Sequence, residues 1–255
     1  MTLEVPYEGN NSLKELVKKI NENKEIQDYW RCSNIMTVDR MGYNDHGPIH
    51  VKIVANIALR ILRILIKNKV IPSVVKNYGL KNEDAENIIL LATALHDVGN
   101  IVKRENHEEI SASISVNFLQ RFLPNDEKKI IYISEILHAI VSHDENMKPE
   151  TIEAGIVRIA DALDMAEGRA RIPFSSGAIT IHSVSAMAIN RVEIKEGRNK
   201  PVLIHVKMSN SAGIFQIDNL LRARIKNSGL ENYIEVAAEV SGEKEKKIVK
   251  KFKIE

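Results

Sequence analysis

The chain is poor in the residues that mark a secreted or membrane protein. One cysteine in 255 residues, Cys32, leaves no possible internal disulfide, and a disulfide framework is what small oxidised domains rely on. No uncharged apolar run approaches the roughly 18 residues that a membrane-spanning helix requires. The N-terminal stretch MTLEVPYEGNNSLKELVKKI has no unbroken apolar core of the signal-peptide kind, so a soluble cytoplasmic protein with no membrane partner is the expectation. An excess of one charge is also missing. The 36 basic and 34 acidic residues leave a net +2, which excludes a global field for nucleic acid while leaving room for a local basic groove. Aromatics make up 5%, and no aromatic-rich basic strand argues for long RNA.

What the chain has is apolar content of 44%, enough for one large or two modest domains with a real core. It also has clustered histidines. Of eight, six fall within one hundred residues: His46, His50, His96, His107, His138 and His143, with Asp97, Asp144 and Asp161 among or just beyond them. Neutral imidazoles with carboxylates suit borderline or hard divalent metals such as manganese, iron, nickel, zinc or magnesium.

Periodicity places these residues on helices. Leu13, Leu16, Val17, Ile20 and Ile26 predict one amphipathic helix over 11–30, with Trp30 a core anchor and Cys32 a buried, inert thiol. Pro48 opens the next helix, whose broad apolar face takes in Ile49, Ile53, Ile57, Ile61 and Leu65, with His50 pointing inward from the first turn. His46 lies before the Gly-Pro break. Asn82 reads as the N-cap of a helix over 85–96, stopped by a left-handed Gly99, and that helix delivers His96-Asp97. His107 starts another helix. The following one carries both His138 and His143, but five residues turn a helix by about 140°, so both should not face one metal, and His143 at the helix end is favoured. Asp161 sits among Ile159, Ala160, Ala162 and Leu163, where a buried carboxylate must be paired or coordinated; Asp164 is one turn further. Beyond Pro173 the pattern changes to strands over 179–194, 201–208, 233–240 and 248–254, with a helix over 214–226. The expected architecture is mainly α: an all-α bundle over 1–174, then a small α+β domain over 175–255. His182 and His205 lack useful carboxylate neighbours and are read as non-catalytic.

In this order, His50, His96-Asp97, His107, His138 or His143, and Asp161 resemble the HD superfamily of metal-dependent phosphohydrolases, over roughly residues 40–170. The stretch 139–149, Glu153-Ala154, Ala160-Asp161-Ala162-Leu163 and Gly168-Arg169-Ala170-Arg171 are similar to the catalytic half of ribonuclease Y-like proteins, where a small α+β segment also follows. A reduced, soluble relative without that family's anchor, coiled coil and single-strand-binding domain is implied. His46 before His50 also resembles the His-x-x-x-His of mammalian-type cyclic nucleotide phosphodiesterases. Two departures stand out: Asn100 occupies the position of the usual lysine after His-Asp-x-Gly, and His143-Asp144 stands where binuclear relatives often pair histidines.

The resemblance implies an HD-type bundle and a phosphodiesterase or nucleotidase acting on a nucleotide or short oligonucleotide phosphoester. One divalent metal would be held by His50, His96, Asp97 and Asp161, a second by Asp97 as bridge with His107 and His143, with His138 and Asp144 open as ligands. A bridging hydroxide would attack, His46 would protonate the leaving oxygen, and Lys103, Arg169 or Arg171 would meet the phosphate, Arg104 being the other replacement for the missing lysine. Two alternatives remain: a mononuclear enzyme using the first four ligands alone, and a non-catalytic nucleotide-sensing regulatory protein. The C-terminal domain is expected to serve dimerisation or substrate gating, giving a homodimer through its strand edges.

Overall fold

The computed structural model describes residues 2–166 and 185–241, and the backbone of 251–254. Arg169, Arg171, His182 and the expected boundary near residue 174 lie outside these. Where one N-terminal helix was expected there are two, α1 (Asn11–Glu22) and α2 (Lys24–Asn34), because Asn23 is extended and its side-chain oxygen accepts from the Ile26 amide at 3.0 Å. An asparagine that caps a new helix ends the old one. Trp30 is buried and donates its indole N–H to the Ala94 carbonyl at 2.6 Å, which ties α2 to the centre of the bundle. Cys32 is exposed rather than buried, since the Trp30 face of α2 turns inward and Cys32 follows it by about 200° of helix.

The helix α3 (Pro48–Lys67) begins on its proline and buries His50, Val51, Val54, Ala58, Ile61, Leu62 and Leu65. Ile49 and Ile53 do not share that face; they are 49% and 37% exposed. With His50 turned inward, Ile49 is carried about 100° around the helix. After α4 (Ser73–Tyr78) comes α5 (Asn82–Leu95), buried at every residue from Asp84 to Leu95. Its cap differs from expectation: Lys81 holds the N-cap position, and Asp84 accepts the Lys81 amide at 2.8 Å. The remaining bundle helices are α6 (His107–Phe122), α7 (Lys129–Val141) and α8 (Ile152–Ala162).

A four-stranded sheet follows, ordered β1 (Ile189–Glu196), β2 (Val202–Met208), β3 (Ile234–Val240), β4 (Lys251–Ile254). Strands β2 and β3 are parallel, in register Val206 with Ala238, so their connection must cross over. It does so through Gln216–Leu221 and the short α9 (Arg222–Lys226). The first strand starts at Ile189 rather than 179: residues 185–187 are helical and 179–184 lie outside the described residues. Val202, Ile204, Val206 and Met208 are buried as their alternation requires. His205, on the other face, lies 3.4 Å from Glu193 and 3.5 Å from Glu239.

Bundle and sheet share one continuous apolar cluster that includes Leu163, Ile189 and Leu230. They approach closely at Gly155 of α8, where a Cβ would lie 2.3 Å from the Ser228 carbonyl oxygen. The chain is thus mainly α, with a small α+β part packed on the helices. No helix among the described residues is long and apolar enough to cross a membrane.

Candidate metal centre

Five elements end or begin at one point. The loop before α3 brings His46, the first turn of α3 His50, the end of α5 His96 and Asp97, the start of α6 His107, the turn after α7 His143, and the end of α8 Asp161. All of the histidines named here and Asp97 are buried.

Four of the imidazoles are oriented by their Nδ1 atoms. His96 Nδ1 faces the Thr93 carbonyl at 2.8 Å, His107 Nδ1 the Arg104 carbonyl at 3.0 Å, and His143 Nδ1 the Ile140 carbonyl at 2.5 Å. A carbonyl can only accept, so each of these Nδ1 atoms carries a proton, and Nε2 is left as the ring atom that can take up a cation. His50 Nδ1 is held instead by the carboxylate of Asp164 at 2.7 Å. The four Nε2 atoms then converge. His50 Nε2 lies 3.1 Å from His96 Nε2, 3.2 Å from Asp97 Oδ2 and 3.2 Å from Asp161 Oδ1. His107 Nε2 lies 3.3 Å from His143 Nε2 and 3.0 Å from Asp97 Oδ1. Facing lone pairs repel unless a cation lies between them, either a proton or a metal. Separations near 3 Å are those of adjacent donors around one ion with bonds of about 2.0–2.2 Å. The donor set therefore fits divalent metal ions, with the two oxygens of Asp97 belonging to two neighbouring groups.

Charge is distributed accordingly. Burial would raise Asp97, but His96 and His46 beside it hold it well below the usual carboxylate range. Burial likewise opposes the ionised form of Asp161, and its hydrogen bonds with His50 and His96 overcome that. Burial would lower His96, yet Asp97 and Asp161 push it up to about 10. His143 goes the other way, down to about 3, because burial and then the neighbouring His96 disfavour its cation.

The structure brings His46, His50, His96, Asp97, His107, His143 and Asp161 together. His138 lies elsewhere: its ring meets the Ser142 hydroxyl at 3.3 Å and accepts the Glu150 amide at 3.0 Å, as the 140° rotation requires. Lys103 is exposed and makes no hydrogen bond or ion pair among the described residues, because the turn directs the next residue inward. That residue is Arg104, whose Nη1 lies 3.2 Å from Asn100 Oδ1, 3.1 Å from His107 Nε2 and 4.0 Å from Asp97 Oδ1. Asn100, in place of a lysine, donates to Asp97 Oδ1 at 3.1 Å and to its backbone carbonyl at 3.0 Å. Asp144 bonds Asn146 at 2.7 Å in an exposed turn. Gly99 does not take the left-handed conformation; it is needed because a Cβ there would lie 2.1 Å from the His107 carbonyl. Sequence reasoning gave no role to Asp164 and Asn100, although the spacing of Asp164 from Asp161 was a signal.

The sequence profile of the HD domain family matches residues 49–166. The "Uncharacterized protein MJ1020" of Methanocaldococcus jannaschii is 45% identical over 251 residues, covering 96% of this chain and 97% of that protein. Ribonuclease Y of Opitutus terrae is 25% identical over 229 residues, 84% of this chain and 41% of the relative. Ribonuclease Y of the Aster yellows witches'-broom phytoplasma is 29% identical over 165 residues, 60% of this chain and 29% of its own length. The chain thus spans less than half of either ribonuclease Y. No solved structure matches it.

Proposed function

The chain belongs to the HD domain family, and from that premise we propose that it is a metal-dependent phosphohydrolase acting on a phosphoester of a nucleotide or short oligonucleotide. The observation that carries this reading is the convergence of histidine Nε2 atoms on both oxygens of one buried carboxylate, Asp97. His50, His96, Asp97 and Asp161 would hold one divalent ion; His107, His143 and the second oxygen of Asp97 would hold another. When bound, such a pair lowers the pKa of a shared water and offsets the charge of the phosphate.

The chain's own residues do the rest. Asp97 Oδ2 lies 2.8 Å from His46 Nδ1, which fixes the ring and makes Nε2 the atom that delivers a proton to the leaving oxygen. An imidazole suits this step because it titrates near neutrality. Arg104, steadied by Asn100, offers a fixed cation for a non-bridging phosphate oxygen, the role first expected of Lys103; Arg169 would add to it from outside the described residues. The relatives named ribonuclease Y favour a ribonucleotide phosphodiester. Edge strand β1 offers a surface for pairing two chains into a cytoplasmic homodimer.

The test is turnover by protein stripped with chelator and reloaded with manganese, against bis(p-nitrophenyl) phosphate, mononucleotides and dinucleotides. Hydrolysis by the wild type and none by Asp97→Ala is expected. Undiminished turnover in Asp97→Ala, or no hydrolysis of any of these by loaded wild type, would overturn the reading.

A further inference from the structure

His143 stands beyond the last turn of α7, in the loop 142–151 that leads to α8. A metal donor on a loop has to be fixed by something outside the loop. Three side chains do this, and each takes hold of the backbone. His138 accepts the Glu150 amide. Arg158 of α8, fully buried, donates to the Glu145 carbonyl at 2.9 Å and to the Met147 carbonyl. The carbonyl of His143 itself accepts from Arg224.

Arg224 is the one that comes from the α+β part, on α9. Its guanidinium lies close enough to Arg158 that, after burial, it is the largest influence lowering the Arg158 pKa. Neither arginine forms an ion pair with a carboxylate among the described residues, and Arg158 Nε has no partner. Arg158 is buried and Arg224 partly buried; even with the carboxylates of Asp144 and Glu145 acting on Arg158, two like charges side by side oppose folding unless their donors are used. Here they are used on three carbonyls of one loop, at His143, Glu145 and Met147.

We propose that Arg224 is a positioning residue for the second ion: by pinning the His143 carbonyl it holds the His143 imidazole against His107 and Asp97, so the α+β part completes the centre built by the helices. This rests on the metal reading above. It gives the C-terminal part a role that needs neither dimerisation nor a lid.

The experiment is a manganese titration of the full-length, metal-stripped chain, read as ions bound per chain and the affinity of each. Wild type is compared with His143→Ala, Arg224→Met and Arg224→Lys, with folding checked by thermal unfolding. The expected result is two ions in the wild type and one in His143→Ala. In Arg224→Met the first ion should bind as in the wild type and the second 10–100-fold more weakly, on the order of other outer contacts to metal-bound histidines. Arg224→Lys, keeping a donor, should recover part of that loss, which a general packing defect would not allow. If Arg224→Met does not fold, Arg224→Gln replaces it with the same expectation. Two ions in His143→Ala would refute the ligand assignment on which the inference rests. One ion in His143→Ala with wild-type affinity for both in the Arg224 variants would leave that assignment standing and refute the clamp.

Discussion

Gly99→Ala tests how tightly the centre is built. A Cβ at this position would lie 2.1 Å from the His107 carbonyl oxygen, 2.6 Å from the Ser111 amide and 2.9 Å from the Ser111 hydroxyl. All three belong to the first turns of α6, two of them to backbone, so no side-chain rotation relieves the clash. Restoring an ordinary contact of about 3.5 Å requires the turn after Asp97 and the start of α6 to separate by roughly 1.4 Å. Metal–donor distances tolerate only about 0.2 Å, so His107 would leave reach of an ion shared with Asp97. The bond from the Gly99 amide to Ser111 Oγ, 2.8 Å long, would also break. Overpacking at about 1–3 kcal/mol and the lost bond at about 1 kcal/mol give a destabilisation of roughly 2–4 kcal/mol. For a chain of this size that lowers Tm by roughly 4–16 °C. The assay is calorimetry of the metal-free protein with a manganese count on the loaded one. A Gly99→Ala protein with wild-type Tm and a full count would show that the close approach of the turn to α6 is not a constraint.

Asp164→Asn weakens the hold on His50 Nδ1, and the first ion should then bind 10–100-fold more weakly in a calorimetric titration; unchanged affinity would mean that Asp164 does not orient His50. Trp30→Phe keeps the apolar ring and orphans the buried Ala94 carbonyl, which should lower stability by about 1–3 kcal/mol in urea unfolding; a loss below about 0.5 kcal/mol would mean the bond is dispensable. Asp84 predicts an acid effect. Burial would raise its pKa, but the Lys81 amide, Tyr132 and Lys128 together hold it below 3.8. A carboxyl with a depressed folded pKa contributes stability that is present above the unfolded value and lost as pH falls through the folded one. Urea unfolding between pH 5 and pH 3 should therefore fall less steeply for Asp84→Asn than for wild type, and equal slopes would contradict the assignment.

Much of the fold was legible because helices with 3.6-residue periodicity and strands with alternation announce themselves, as α5 and β2 do. The order of histidines and aspartates was legible because such donors are distinctive residue types, and a rotation argument alone separates His138 from His143. What was not legible acts through backbone. Arg104 touches the site because of how one turn is directed, and nothing in its neighbours distinguishes it from Lys103. Arg158 and Arg224 grip carbonyls, which carry no mark in a sequence. Gly99 shows the same limit: a glycine at a helix end reads as a left-handed stop, whereas the reason for it is the His107 carbonyl, which only the packing of α6 places there. Ile49 and Ile53 continue an apolar stripe by spacing, yet the inward turn of His50 rotates them out of the core.

Whether Asp97 is shared by two ions is tested most directly by counting metal. Inductively coupled plasma mass spectrometry of manganese-loaded protein should find about two ions per chain in the wild type, as the two donor groups require, and essentially none in Asp97→Ala, because both groups lose a ligand at once. One ion per chain in the wild type, or two retained by Asp97→Ala, would contradict it.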